Sequence, residues 1–169
     1  SDALARELGA TMYEIGLWYR PGLFPMKGET HWRETCDREM KMVRSTVGIT
    51  DVTPLGKIDI QGKDAAELLD RVYCNMFSTL KVGRVRYGLM LREDGHVLDD
   101  GTTASLGPQH FVMTTTTAAA GLVMRHLEFV HQALHPELDV RFTSVTEQWA
   151  QFAVAGPKSR ELLNGLLDA

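Results

Sequence analysis

Residues 83–101 read Gly-Arg-Val-Arg-Tyr-Gly-Leu-Met-Leu-Arg-Glu-Asp-Gly-His-Val-Leu-Asp-Asp-Gly. Two runs of β-prone residues flank Asp94-Gly95, a dipeptide that supplies the positive φ of a tight hairpin. A two-residue loop there pairs Glu93 with His96, which sets Leu89 opposite Asp100 and Tyr87 opposite Thr102. Side chains alternate with period two, so Tyr87, Leu89, Leu91, Leu98, Asp100 and Thr102 share one face, while Asp99 points the other way beside Met90. Leu91 and Leu98 mark the Asp100 face as the apolar one. A carboxylate on such a face is costly unless it is hydrogen-bonded or neutralised. Two readings stand at this point. Asp100 is satisfied internally, by a backbone N–H or by Arg84 or Arg86, or it is a ligand-binding, acid–base carboxylate with Tyr87 as its aromatic wall. A one-residue slip would exchange Asp99 and Asp100, so the turn type decides.

The flanking sequence builds a mixed fold around this hairpin. Ahead of it, Trp32, Cys36, Met40, Val43 and Val47 recur at three- and four-residue steps and predict a helix from Glu29 to about Thr46, stopped by Gly48. Ile49–Val52 and Lys57–Ile60 predict strands, the second with one wet face, separated by a turn at Thr53-Pro54. Ala65, Leu68, Leu69 and Val72 predict a second helix. Beyond the hairpin come a strand over Phe111–Thr115, a helix from about Thr117 to Leu134 stopped by Pro136, strands at Val140–Thr143 and Trp149–Val154, and a last helix after Pro157. No βαβ series appears, so the expected class is α+β: a mixed, largely antiparallel sheet with packed helices. Residues 1–28, broken by Gly16, Pro21, Gly22, Pro25 and Gly28, are expected to form an irregular arm packed through Trp18, Tyr19 and Phe24, with one domain over 29–169.

Composition narrows the function classes. The chain has 169 residues, 44% hydrophobic and 24% charged, with a net charge of −4, which excludes a disordered tail and offers no global basic field for nucleic acid or an anionic membrane. No apolar run reaches the length of a membrane-spanning helix, and the N-terminus lacks a signal-peptide core. Cys36 and Cys74 are expected as buried free thiols in a reducing, cytoplasmic compartment. His131 and His135 stand four apart on a polar helix face, where interaction with the helix dipole outweighs metal binding. The Thr114–Thr117 run at a strand end either caps the following helix or presents hydroxyls to a ligand. No nucleophile elbow, dinucleotide fingerprint or P-loop is present.

The block from Gly83 to Gly101, with Asp51-Val52-Thr53 and Ala155-Gly156-Pro157, resembles the folate-binding domain of the glycine-cleavage T-protein (aminomethyltransferase) superfamily. Trp18-Tyr19-Arg20-Pro21, the Tyr87–Gly95 run, the Thr114–Thr117 run and Thr146-Glu147-Gln148-Trp149 are similar to one branch of it, the alpha subunits of heterotetrameric sarcosine oxidases. The resemblance implies the N-terminal half of an aminomethyltransferase-type domain. Such a domain takes the one-carbon unit from the oxidative demethylation of sarcosine onto tetrahydrofolate as 5,10-methylenetetrahydrofolate. NAD and flavin are then expected elsewhere in the complete enzyme, and the partners are the other subunits of the heterotetramer. It further implies Asp100 as the catalytic carboxylate. Tyr87, Leu55, Thr114, Thr115 and Thr116 join Asp100 as folate contacts. The chain ends two residues after Leu167, from which a longer parent polypeptide is expected, with a site open on one side and inactive alone. The alternatives are a free aminomethyltransferase and a non-catalytic docking module of the same fold.

Overall fold

The computed structural model describes residues 2–167. In chain order these form helix α1 (Asp2–Glu7), strands β1 (Thr11–Ile15) and β2 (Trp18–Leu23), helix α2 (Trp32–Ser45), and strands β3 (Gly48–Asp51) and β4 (Gly56–Gln61). Helix α3 (Ala65–Val72), strands β5 (Val85–Leu91), β6 (Val97–Gly107) and β7 (His110–Thr115), and helix α4 (Ala120–Phe129) follow. The last elements are a π-helical turn (Val130–Leu134), β8 (Arg141–Ser144), a 3-10 turn (Thr146–Gln148), β9 (Phe152–Ala155) and α5 (Ser159–Leu167). Every pairing among the described strands is antiparallel, in agreement with the α+β reading. The chain divides into two compact units, one spanning Leu55–Trp149 and one made of the residues before and after it.

The central unit holds a five-stranded sheet of order β5-β6-β7-β4-β8. One sheet face is covered. Ile58 and Ile60 of β4, Phe111 and Met113 of β7, and Met90 of β5 pack with Leu68 and Leu69 of α3 and Val123 and Leu127 of α4 in one buried cluster. The apolar stripe of α3 read from the sequence is the stripe that is buried. Two glycines fit the hairpin into this packing. A Cβ on Gly88 would stand 2.8 Å from the Tyr73 ring and 2.9 Å from the Phe77 ring, and one on Gly101 would stand 2.0 Å from the Thr114 carbonyl oxygen.

The other unit contains α1, the β1–β2 hairpin, α2, the β3–β9 pair and α5. Residues 2–28 are therefore not the irregular arm the glycines and prolines suggested. Ile15 pairs with Trp18 across a two-residue loop whose first member, Gly16, has φ 64°, the geometry a hairpin turn of that length needs. Leu23 is buried and Trp18 and Phe24 are half-buried, but Tyr19 is exposed. Helix α2 starts later than predicted, at a capping box. His31 Nδ1 accepts the Arg33 N–H, and the Glu34 carboxylate accepts the N–H groups of Thr30 and His31. Its predicted stripe is also displaced: Trp32 and Met40 are exposed and Thr35 is buried. The thiols depart from expectation as well, Cys36 being half-buried and Cys74 exposed. No helix among the described residues is long and apolar enough to cross a membrane.

Candidate functional site

The hairpin reaches the predicted register by a different route. Gly95 (φ 82°) donates its N–H to Arg92 O at 2.9 Å, and Arg92 N–H bonds His96 O at 2.8 Å, so the loop is three residues, Glu93-Asp94-Gly95, and not two. A register shift between Met90 and Leu91 then absorbs one residue on β6, so Leu91 faces Val97 and Leu98 is the extra one. The two departures cancel. Leu89 pairs with Asp100, Tyr87 with Thr102 and Met90 with Asp99. The turn is held by Asp94, whose carboxyl the His96 N–H and Arg92 keep below the usual range.

Which face is covered is the reverse of the expectation. Leu98 belongs to the core side, because it is the bulge residue and packs against the buried cluster. Asp99 is buried at 6% exposure beside Met90 at 0%, whereas Tyr87 is 56% and Leu89 38% exposed. Asp100 therefore lies on the open face of the sheet. Neither predicted arginine serves it: Arg86 donates to Met76 O and to Thr79 Oγ1 (2.9 Å). Its partner is the Tyr87 hydroxyl, which donates to Asp100 Oδ2. Among the described residues Oδ1 accepts no hydrogen bond.

Following the register across the sheet extends this face. Tyr87 is opposite Thr102, Thr102 exchanges bonds with Thr114 (N–H to Oγ1, 2.9 Å), and Thr114 is opposite Lys57. Directly opposed residues share a face, so Tyr87, Thr102, Thr114 and Lys57 form one row across four strands, with Leu89 and Asp100 in the next row. Exposure falls along the row to Lys57, at 3%. The predicted wet face of β4 is thus closed at this position. Lys57 Nζ donates to Leu55 O at 2.7 Å, which fixes the half-buried Leu55 just before the Gly56–Thr115 pair, at the same end of the sheet. Of the threonine run, Thr114 stands on the Asp100 face. Thr115 is turned to the core, buried, with Oγ1 donating to Thr116 O at 3.0 Å. Thr116 is exposed, and both its N–H (3.1 Å) and its hydroxyl (2.7 Å) donate to Asp99. Sequence reasoning missed Lys57 and the Asp99–Thr116 pair. No local signal marks Lys57, because β4 meets β7 only through a pairing distant in sequence.

An open face with an aromatic ring, flanking leucines and one carboxylate oxygen to spare suits a flat heteroaromatic ligand whose edge carries N–H donors. The stacking surface is apolar and the edge contact is a charge-assisted hydrogen bond. A polar groove of about 640 Å³ elsewhere on the same unit is a weaker candidate. Its Asp59 is already satisfied by His110 Nε2 and Gln61 Nε2, both at 2.6 Å.

The GCVT N-terminal domain family matches residues 2–169. The chain belongs to that family. It is 57% identical over 164 residues to the sarcosine oxidase subunit alpha of Rhizobium meliloti (strain 1021), covering 97% of this chain and 17% of the relative. It is 49% identical over 155 residues to that of Corynebacterium sp. (strain U-96), covering 92% and 16%. An aminomethyltransferase of Staphylococcus haemolyticus (strain JCSC1435) is 30% identical over 161 residues, with 95% of this chain and 40% of the relative covered. The GCVT-domain chain thus spans about one sixth of the length of the sarcosine oxidase subunits it matches. Its fold is that of the glycine cleavage system aminomethyltransferase T of Bartonella henselae, with a TM-score of 0.82 at 21% identity over 96% of this chain and 41% of that one.

Proposed function

We propose that this GCVT domain is the tetrahydrofolate-binding region of a sarcosine oxidase alpha subunit. It takes the one-carbon unit released when sarcosine is demethylated and works with the partner subunits of that cytoplasmic enzyme. The observation that carries the reading is the Tyr87–Asp100 hydrogen bond on the open, leucine-flanked face. The higher identity to sarcosine oxidase subunits than to an aminomethyltransferase over the same span favours the oxidase over the glycine-cleavage alternative.

The residues present fit a pterin. Tyr87 and Leu89 offer the flat wall, Asp100 Oδ1 an acceptor for ring N–H groups, and Leu55, the Thr114 hydroxyl and the exposed chain at Thr116 the border. Tetrahydrofolate supplies secondary amines that capture a one-carbon unit. Asp100 would hold a proton at Oδ1, placed to take it from a bound secondary amine as the carbon–nitrogen bond forms and to give it to the oxygen that leaves as water. Tyr87 holds the carboxylate through Oδ2, so that Oδ1 keeps one orientation. NAD and flavin chemistry belongs to other parts of the complete enzyme.

The test is product partition in the complete enzyme at saturating tetrahydrofolate. Asp100→Asn keeps the shape and removes proton transfer, so methylenetetrahydrofolate formation falls about 10²–10⁴-fold while amine oxidation continues and free formaldehyde rises. An unchanged ratio of methylenetetrahydrofolate to formaldehyde in that variant overturns the assignment.

A further inference from the structure

Asp99 sits back to back with Asp100, on the covered face. It is 6% exposed, and a buried carboxylate must be matched by donors. Both of its oxygens point to one residue: the Thr116 N–H lies 3.1 Å from Oδ2 and 3.4 Å from Oδ1, and the Thr116 hydroxyl 2.7 Å from Oδ1. Thr116 follows the last residue of β7. The β6–β7 ladder runs only to the Thr103–Met113 pair. Nearer the site, side chains take over the bonding: Thr102 N–H to Thr114 Oγ1, Thr114 Oγ1 to Thr102 O at 3.2 Å, and then the Asp99–Thr116 pair. Gly101 lies between them with no room for a Cβ against Thr114 O. The end of β7 is therefore fastened to β6 by a carboxylate where backbone pairing has stopped.

We propose that Asp99 is a positioning residue. Its buried carboxylate clamps Thr116, so that the border of the open face next to Asp100 and Leu55 has its ligand-binding shape before the ligand arrives. Preorganisation of this kind raises affinity by removing the ordering cost from binding. The inference rests on the folate reading of that face and adds that the first aspartate of the pair acts through Thr116.

Tetrahydrofolate binding to the complete polypeptide carrying this sequence tests it by calorimetry, with amide exchange at Thr116 as a second readout. Asp99→Asn retains one acceptor of two, and Thr116→Val loses only the hydroxyl bond of an exposed side chain, so both variants fold. Each is expected to raise Kd about three- to tenfold and speed exchange at residue 116. Thr116→Ser, which keeps the hydroxyl, stays within about twofold of wild type. The double variant Asp99→Asn/Thr116→Val is no worse than the poorer single one, since both break the same clamp. Additive losses overturn the clamp. A wild-type Kd in both single variants, with Kd raised in Asp100→Asn, also overturns it while leaving the folate reading intact. A wild-type Kd in all three, Asp100→Asn included, removes the folate reading itself and the clamp with it.

Discussion

At the scale of single residues, Tyr87 and the hairpin glycines separate function from folding. Tyr87 is 56% exposed and its hydroxyl touches only Asp100 among the described hydrogen bonds, so Tyr87→Phe leaves stability within about 0.5 kcal/mol. The same change frees the carboxylate and is expected to raise the tetrahydrofolate Kd about three- to tenfold, measured by calorimetry alongside a melting curve. Gly101 and Gly88 give the opposite pattern. A Cβ at 101 would meet backbone oxygen at 2.0 Å, whereas at 88 it would meet the edges of two rings at 2.8–2.9 Å. Rings can turn and a strand carbonyl cannot. Gly101→Ala should therefore cost about 3 kcal/mol or more and Gly88→Ala about 1–3 kcal/mol, read as urea midpoints. Equal losses would mean that β6 and β7 separate freely at this point.

At the scale of elements, Glu29 and Glu39 together tie helix α2 to the chain before it, Glu39 by accepting the Phe24 N–H at 2.9 Å. Glu29 accepts from Arg38 Nε at 2.6 Å and from the Thr35 hydroxyl at 2.7 Å, and Arg38 also donates to Phe24 O at 2.7 Å. The Arg38 bond above all, then Thr35 and the Met26 N–H, lowers the Glu29 carboxyl from its ordinary 4.5 to about 2. A depressed acid stabilises the fold fully above its unfolded value and loses that contribution as pH falls toward the folded one. The contribution of this clasp is thus present at pH 6 and fades between about 4.5 and 2. Urea unfolding at pH 6 and pH 3 should show a smaller pH-dependent drop for Glu29→Gln than for wild type. Identical drops would remove the clasp from the acid sensitivity of this chain. The clasp also explains the misplaced α2 stripe: Thr35 and Arg38 face the clasp, so Trp32 and Met40 are left outside.

At the scale of the whole molecule, burial is uneven. The connected apolar core lies within residues 55–149, built from β4, β5, β7, α3 and α4, while the other unit buries few apolar side chains, Ala5 and Leu23 among them. Local stability follows buried contacts. Native-state amide exchange should therefore be slowest at Ile58, Ile60 and Met113 and fastest in β1 and β2. Leu68→Ala, at a fully buried position, should cost about 2–5 kcal/mol by thermal or urea unfolding and abolish the slowest class of amides. Uniform protection across both units would contradict this division.

Much of the fold was legible because local periodicity is a property of the chain itself. The stripe Ala65, Leu68, Leu69, Val72 fixed the buried side of α3, and the alternation on either side of Asp94-Gly95 marked the two strands of the hairpin. Gly16 carried a hairpin signal too, in a stretch where nearby prolines masked it. The placement of Tyr87 beside Asp100 was read correctly from the sequence although the loop is one residue longer than the count assumed, because the extra residue at Leu98 restores the register. Alternation says which side chains share a sheet face, but not which face the helices cover. That depended on where α3 and α4 packed, and it buried Asp99 while leaving Asp100 open. The bulge at Leu98, the burial of Lys57 and the reach of Asp99 to Thr116 arise from contacts between strands distant in sequence, so only the folded sheet determines them.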